Sequence, residues 1–314
     1  MSLDREVVEY LSRERGIDSA FIEKDWHAVR VLKALSGHSH EGITTIFTGG
    51  TSLSKGRGLL KRFSEDLDFR VRFHEAKTKN QLKKKKSAFR LSLIEALRQI
   101  DDISFDDDDV KVDGLGFKIQ LTYPKLFDAP NGIRPDLQIE FSFTQPRLEE
   151  EYREITSFVA EYKNEQPEAG FLCLSPLEIA ADKFSSLVWR VLKRNREDAK
   201  DDPAMLRHLH DLCALQGVIA ENDQLFVATA LESFAQDQER PNRQVLLPLG
   251  EAAVKTVTAI QEDALYRQEY EQFVDAMSYA DDEEKIVFDE ALAHFQNLAH
   301  EKFCAQDFSG SSIN

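Results

Sequence analysis

Two aspartates, Asp66 and Asp68, stand at i and i+2 in DLDFRVRF (66–73), where charged and apolar residues alternate. Side chains at i and i+2 of a strand point the same way, so these carboxylates can share one or two divalent cations. Arg70 and Arg72 join them on one face, and Leu67, Phe69, Val71 and Phe73 form the other. Upstream, in FTGGTSLSKG, Gly49 and Gly50 let the backbone come close to a polyphosphate, whose charge a following helix N-terminus favours. Thr51 and Ser52 can cap that helix and offer hydroxyl donors. Lys55, one turn beyond Thr51, is either a triphosphate contact or an exposed helix lysine. A third carboxylate from a neighbouring strand would complete a two-metal site that activates an attacking oxygen and stabilises a leaving pyrophosphate. The alternating run RPDLQIEFSF (134–143) offers Asp136 and Glu140, both on the face that carries Gln138. A P-loop is excluded, because no Gly-Lys-Ser/Thr follows the glycines.

These residues need a sheet to hold them. Polar starts and i, i+3, i+4 apolar spacing predict helices over 6–14 and from 18 or 19 to 35. The β-branched run GITTIF (42–47) predicts a strand that ends at Gly49-Gly50. A helix is expected over 80–100 and a hairpin over 106–123, its second strand in FKIQLTY. Beyond Pro176 the pattern turns helical, in PLEIAADKFSSLVWRVLKR (176–194), in MLRHLHDLCALQ (205–216) and in further helices to about Ala299. Trp26 and Trp189 fall in apolar helical patterns and are assigned to packing. The softest boundary lies in NEQPEAG (164–170), which suggests domains over 1–165 and 166–314.

Composition sets further bounds. A net charge of −16 excludes a protein that coats nucleic acid or anionic membrane through bulk charge. The distribution is uneven: residues 53–98 carry fourteen Lys and Arg against five acids, whereas 221–314 carry nineteen acids against six bases. KKKK (83–86) is either a solvated face or a polyanion-steering surface, and the same alternatives hold for Arg190, Lys193, Arg194 and Arg196. Three cysteines without a CxxC pair argue for a reducing compartment. No signal-like start or long apolar run occurs, so the expected location is cytoplasmic, with no membrane partner.

Taken together, Gly49, Gly50 and Thr51, followed by Arg62, Ser64, Asp66 and Asp68, resemble the AbiEii/AbiGii toxin family of the DNA polymerase beta-like nucleotidyltransferase superfamily. IEKDWHAVRVLKAL (22–35) is similar to the family's N-terminal glutamate-lysine-aspartate helix. Lys183 sits where such toxins have a motif-three lysine, and LRHLHDL brings Asp211 to the last acidic position of motif four, with His208 and His210 where the family has aspartate and tyrosine. The match spans roughly 20–215.

The resemblance implies an α/β (α+β) fold, with a small mixed nucleotidyltransferase-like sheet and flanking helices, then a mainly helical C-terminal domain, the active site lying in the cleft between them. It implies Mg2+, with Mn2+ as the alternative, held by Asp66, Asp68 and Glu140, Glu140 being preferred to Asp136 by likeness to the family's strand. It also implies NTP as substrate, cradled by Gly49, Gly50, Thr51 and Ser52 with Lys55. Ser64 is a phosphate contact, a loop-positioning residue, a site of self-modification or a plain turn cap. Lys183 would neutralise developing charge, and Asp211 would orient Lys183 or Arg207. The activity expected is nucleotidyl transfer to an acceptor such as a tRNA end, by the toxin of an abortive-infection, type IV toxin-antitoxin system with a cognate antitoxin. Competing readings are a small-molecule nucleotidyltransferase of the antibiotic-modifying type and a non-catalytic interaction protein that retains the fold.

Overall fold

The computed structural model describes residues 3–74, 78–128, 134–199 and 201–304, which divide into two units. The first comprises 1–58 with 63–174; the second comprises 175–314 together with the short segment 59–62.

In the first unit, helices α1 (Arg5–Arg15) and α2 (Ser19–Ser36) each start at an aspartate whose carboxylate accepts a backbone N–H, Asp4 from Glu6 and Asp18 from Ala20. Strand β1 (Ile43–Thr48) runs into the three-residue helical turn α3 (Gly49–Thr51), continued by a π-turn over Ser52–Gly56. Then come β2 (Asp66–Phe73), α4 (Lys79–Arg98), β3 (Val110–Val112), β4 (Gly116–Leu121), β5 (Leu137–Ser142), β6 (Glu151–Ile155), α5 (Phe158–Tyr162) and β7 (Ala169–Cys173). Thr78 and Gln81 close a capping box at the start of α4.

The seven strands form one mixed sheet in the order β3-β4-β5-β2-β1-β7-β6. β2 pairs antiparallel with β1 and parallel with β5, so the Asp-Leu-Asp strand is interior. Alternation decides which face is wet. Leu67, Phe69 and Val71 of β2, Leu137, Ile139 and Phe141 of β5, and Phe117, Ile119 and Leu121 of β4 are all buried in the main core. Three rings from adjacent strands form its spine, with Phe69 stacked on Phe141 at 5.1 Å and Phe141 on Phe117 at 4.7 Å. Phe89 of α4 meets Phe141 edge-on at 5.9 Å.

Two features differ from the sequence reading. Thr51 and Ser52 lie inside the turn and do not cap it: Thr51 donates its hydroxyl to the Asp66 carbonyl and Ser52 to that of Phe47. The N-cap position belongs to Thr48, which makes no side-chain cap bond. Residues 151–173 also contribute β6, α5 and β7, none of which the sequence pattern predicted.

The second unit is helical: α6 (Pro176–Leu192), α7 (Arg207–Ala214), α8 (Gln216–Glu221), α9 (Asp223–Gln238), α10 (Leu249–Glu262), α11 (Leu265–Phe273) and α12 (Phe288–Asn297). Its core is organised around α6, whose Phe184 packs against Phe226, Phe295 and Phe303. Among the described residues no helix is long and apolar enough to cross a membrane. Cys173 and Cys213 are buried free thiols.

Candidate active site

In the first unit, sheet register brings the acidic residues together. Asp68 pairs with Glu140 on one side and with Thr48 on the other, and Asp66 pairs with Gln138. Paired residues of neighbouring strands project from the same face, so Asp66, Asp68 and Glu140 share the wet face. Asp136 precedes β5 and accepts a hydrogen bond from Gln120 at 2.9 Å, which leaves Glu140 as the direct neighbour of Asp68.

The double-glycine turn presses on this face. Gly49 has φ +77°, and a Cβ there would stand 2.1 Å from Asp68 Oδ2, so only glycine lets the backbone lie against the carboxylate. Thr51 ties the turn to β2 through its 2.6 Å bond to the Asp66 carbonyl. Ser52 is fully buried, and Ser64 is half-buried in the segment leading into β2. Lys55 is placed away from the exposed position the sequence allowed. Its ammonium lies 2.6 Å from Asp25 Oδ1, donates to the Thr156 carbonyl and sits over the Phe158 ring.

Cations also meet the acidic face. Arg134 donates from Nη2 to Asp66 Oδ1 at 2.6 Å, and Lys118 stands 2.6 Å from Glu140 Oε2. Among the described residues no group of three or more His, Cys, Asp and Glu side chains stands ready to hold a metal ion. The donor set itself, carboxylate oxygens on one sheet face, has the hardness that Mg2+ and Mn2+ require.

The sequence marked the Glu-Lys-Asp helix only by family likeness and gave its three charges no role, yet they support this face. Glu23, Lys24 and Asp25, consecutive in α2, are all buried, and each holds a different segment. Glu23 accepts the N–H groups of Leu126 and Phe127; Lys24 donates to the Arg134 carbonyl and pairs with Glu65; Asp25 accepts from Lys55 and the Phe158 N–H. Burial pushes the Asp25 and Glu23 carboxyls up and the Lys24 ammonium down, and Lys55 and Glu65 offset part of the shift at Asp25 and Lys24. The available signal was three adjacent charges flanked by Phe21, Ile22 and Trp26, an arrangement that buries charge wherever the helix turns.

In the second unit, Lys183, Asp211 and Arg62 form a buried cluster. Lys183 Nζ lies 2.7 Å from Asp211 Oδ2, and Arg62 grips both oxygens of Asp211. Burial alone would raise the Asp211 carboxyl, but Arg62 and Lys183 outweigh it and hold it well below the usual carboxylate range. The adjacent His208 is held neutral by burial and by Lys183. The predicted second basic cluster is largely neutralised within this unit. Arg194 is forked between Asp201 and Glu269, Arg196 pairs with Asp263 and Glu269, and Arg190 pairs with Asp202.

No curated protein matches the chain. Among solved structures, the MenT4 nucleotidyltransferase toxin from Mycobacterium tuberculosis H37Rv shares its fold, with a TM-score of 0.55 at 16% identity over 98% of this chain and 99% of that one. Residues 30–294 match the family described as nucleotidyl transferase AbiEii toxin, type IV toxin-antitoxin system, and with most of its length so matched the chain belongs to that family.

Proposed function

We propose that this chain transfers a nucleotidyl group from an NTP to an RNA acceptor, with tRNA acceptor ends as the target class, in a divalent-metal-dependent reaction. Family membership supports the transferase chemistry and the toxin role in a type IV toxin-antitoxin system, with a cognate antitoxin as partner. The observation that carries the reading is the Gly49 backbone lying against Asp68 while Glu140 is its register neighbour, so a phosphate-accepting turn and paired carboxylates meet at one point.

Asp66, Asp68 and Glu140 would hold Mg2+, or Mn2+ in its place. Such a cation, when bound, lowers the pKa of an attacking oxygen and offsets charge on the departing pyrophosphate. Backbone N–H groups at Gly49, Gly50 and Thr51 would orient the triphosphate. Thr51 also fixes the distance between turn and strand through its bond to the Asp66 carbonyl. Lys183, held by Asp211, would supply a point charge towards the phosphates.

The test is incubation of the purified protein with each radiolabelled NTP, Mg2+ and total tRNA, beside an Asp66→Ala, Asp68→Ala variant. Labelled RNA that disappears with the variant is the expected result. Label appearing only in a small molecule or in no product at all would overturn the RNA reading.

A further inference from the structure

We propose that Arg134 is the internal counter-cation of Asp66: it neutralises that carboxylate in the metal-free protein, gives way to a divalent cation, and then serves the phosphates of the NTP. This rests on the metal-site reading above.

Three carboxylates on one sheet face, two of them register neighbours, repel one another without a compensating charge. Lys118 answers Glu140 as an ordinary cross-strand pair, since the two are register partners on antiparallel strands. Arg134 is different. It comes from outside the sheet, and its base is built into the structure. Its N–H donates to Glu65 Oε1 at 2.6 Å, and its carbonyl accepts from Lys24 Nζ at 2.8 Å. Glu65 is 3% exposed and pairs with that same Lys24, so a buried ion pair brackets the Arg134 main chain.

The guanidinium, by contrast, is on a side chain 45% exposed to solvent. Its Nη2 meets Asp66 Oδ1 at 2.6 Å, its Nη1 donates to Gln138 Oε1 at 3.1 Å, and its Nε stands 3.7 Å from Glu65 Oε2. A half-exposed pair of this kind is weak. A dication at Asp66 would displace it by charge alone, and a change of side-chain torsions carries the head away while the base stays fixed. Repelled from a cation and tethered beside it, the guanidinium keeps Gln138 and Glu65 within reach on one side and gains the negative oxygens of a bound triphosphate on the other.

The experiment measures Mn2+ binding to the full nucleotide-free chain, by the electron paramagnetic resonance signal of free Mn2+. Arg134→Gln removes the competitor while sparing the backbone bonds to Glu65 and Lys24. It is expected to tighten Mn2+ binding by about three- to fivefold, with Arg134→Lys near wild type. With Mn2+ saturating, Arg134→Gln is expected to weaken binding of a non-hydrolysable NTP analogue by a similar factor. Asp66→Asn is the control. If it weakens Mn2+ binding while Arg134→Gln leaves the affinity unchanged or lowers it, the inference falls and the metal site stands. If Asp66→Asn has no effect on Mn2+ binding, both fall.

Discussion

Arg62 and Asp211, 149 residues apart, are joined by two charge-assisted hydrogen bonds, Nε to Oδ1 at 2.7 Å and Nη2 to Oδ2 at 2.6 Å, and both side chains are buried. Asp211 therefore carries two cations at once, since Lys183 shares its Oδ2. Arg62 reaches this position because residues 59–62 leave the sheet-bearing unit and return to it at Phe63, three residues before Asp66. The same segment is fixed again where the Tyr279 N–H donates to the Lys61 carbonyl and the Tyr279 hydroxyl to that of Leu60.

Replacing Asp211 with asparagine would remove the negative charge that two buried cations share. Breaking one side of a buried ion pair costs about 3–5 kcal/mol, so the helical unit is expected to lose that much in urea denaturation. Lys183→Met removes only one partner and leaves the Arg62 fork in place, so it is expected to cost less. Equal losses would show that the fork does not hold Asp211 independently of Lys183.

Lys55 tests whether the turn after Gly49-Gly50 is held from within. Asp25 is buried and the Lys55 side chain nearly so, so Lys55→Met takes the counter-charge from the Asp25 carboxylate and is expected to destabilise the protein by about 3 kcal/mol. Adding Asp25→Asn should recover part of that loss, a coupling that a double-mutant cycle reads directly. If Lys55 instead served only the triphosphate, Lys55→Met would raise the KM for NTP and leave the denaturation midpoint unchanged.

The contrast between what could and could not be read in the sequence follows the same physics. Strand β2 matched its predicted span, Asp66–Phe73, because every second residue is apolar and the others charged. Strand β6, EYREI, buries only Ile155 and so offers no alternation to detect. Strand β7, AGFLC, contains a glycine and follows a polar loop, yet it pairs in parallel with β1. At the site, residue type announced Asp66 and Asp68 and the turn announced itself through its glycines. Arg134 could not be found that way, because it reaches Asp66 across 68 residues, its own main chain held by the buried Lys24 and Glu65. The exposed alternative for Lys55 failed for a related reason: local spacing says which way a helix residue points, and only the tertiary fold says that Asp25 is waiting there.

His27 predicts an acid-sensitive sheet unit. It is stacked on Tyr123 at 4.2 Å, its Nδ1 has no hydrogen-bond partner among the described residues, and burial lowers its pKa from 6.5 to about 4. Because the folded-state value lies below the unfolded one, unfolding takes up a proton between these limits. The stabilisation is complete above pH 6.5 and is lost as pH falls towards 4, by about 3 kcal/mol for this one group. His27→Phe keeps the stack and should flatten the pH dependence of denaturation by that amount. An identical slope in the two proteins would rule out His27 as its source.

The lysines of α4 separate an RNA acceptor from a small one. Among the described residues none of Lys79, Lys83, Lys84, Lys85, Lys86 and Arg90 is ion-paired, but two have structural work: Lys85 donates to the His74 carbonyl, and Lys86 sits over the Phe143 ring at 4.2 Å. Lys83 and Lys84 are exposed and engaged with nothing among the described residues, so reversing them alters charge with little effect on folding. If they meet phosphates, Lys83→Glu with Lys84→Glu should raise the KM for tRNA and lower the slope of log affinity against log salt by about 0.7–0.9 for each phosphate that is no longer neutralised. The KM for NTP should not move, because a triphosphate held at the Gly49-Gly50 turn does not depend on these side chains. An unchanged salt slope would mean that tRNA is not guided by α4, leaving the charge there as a solvated helix face.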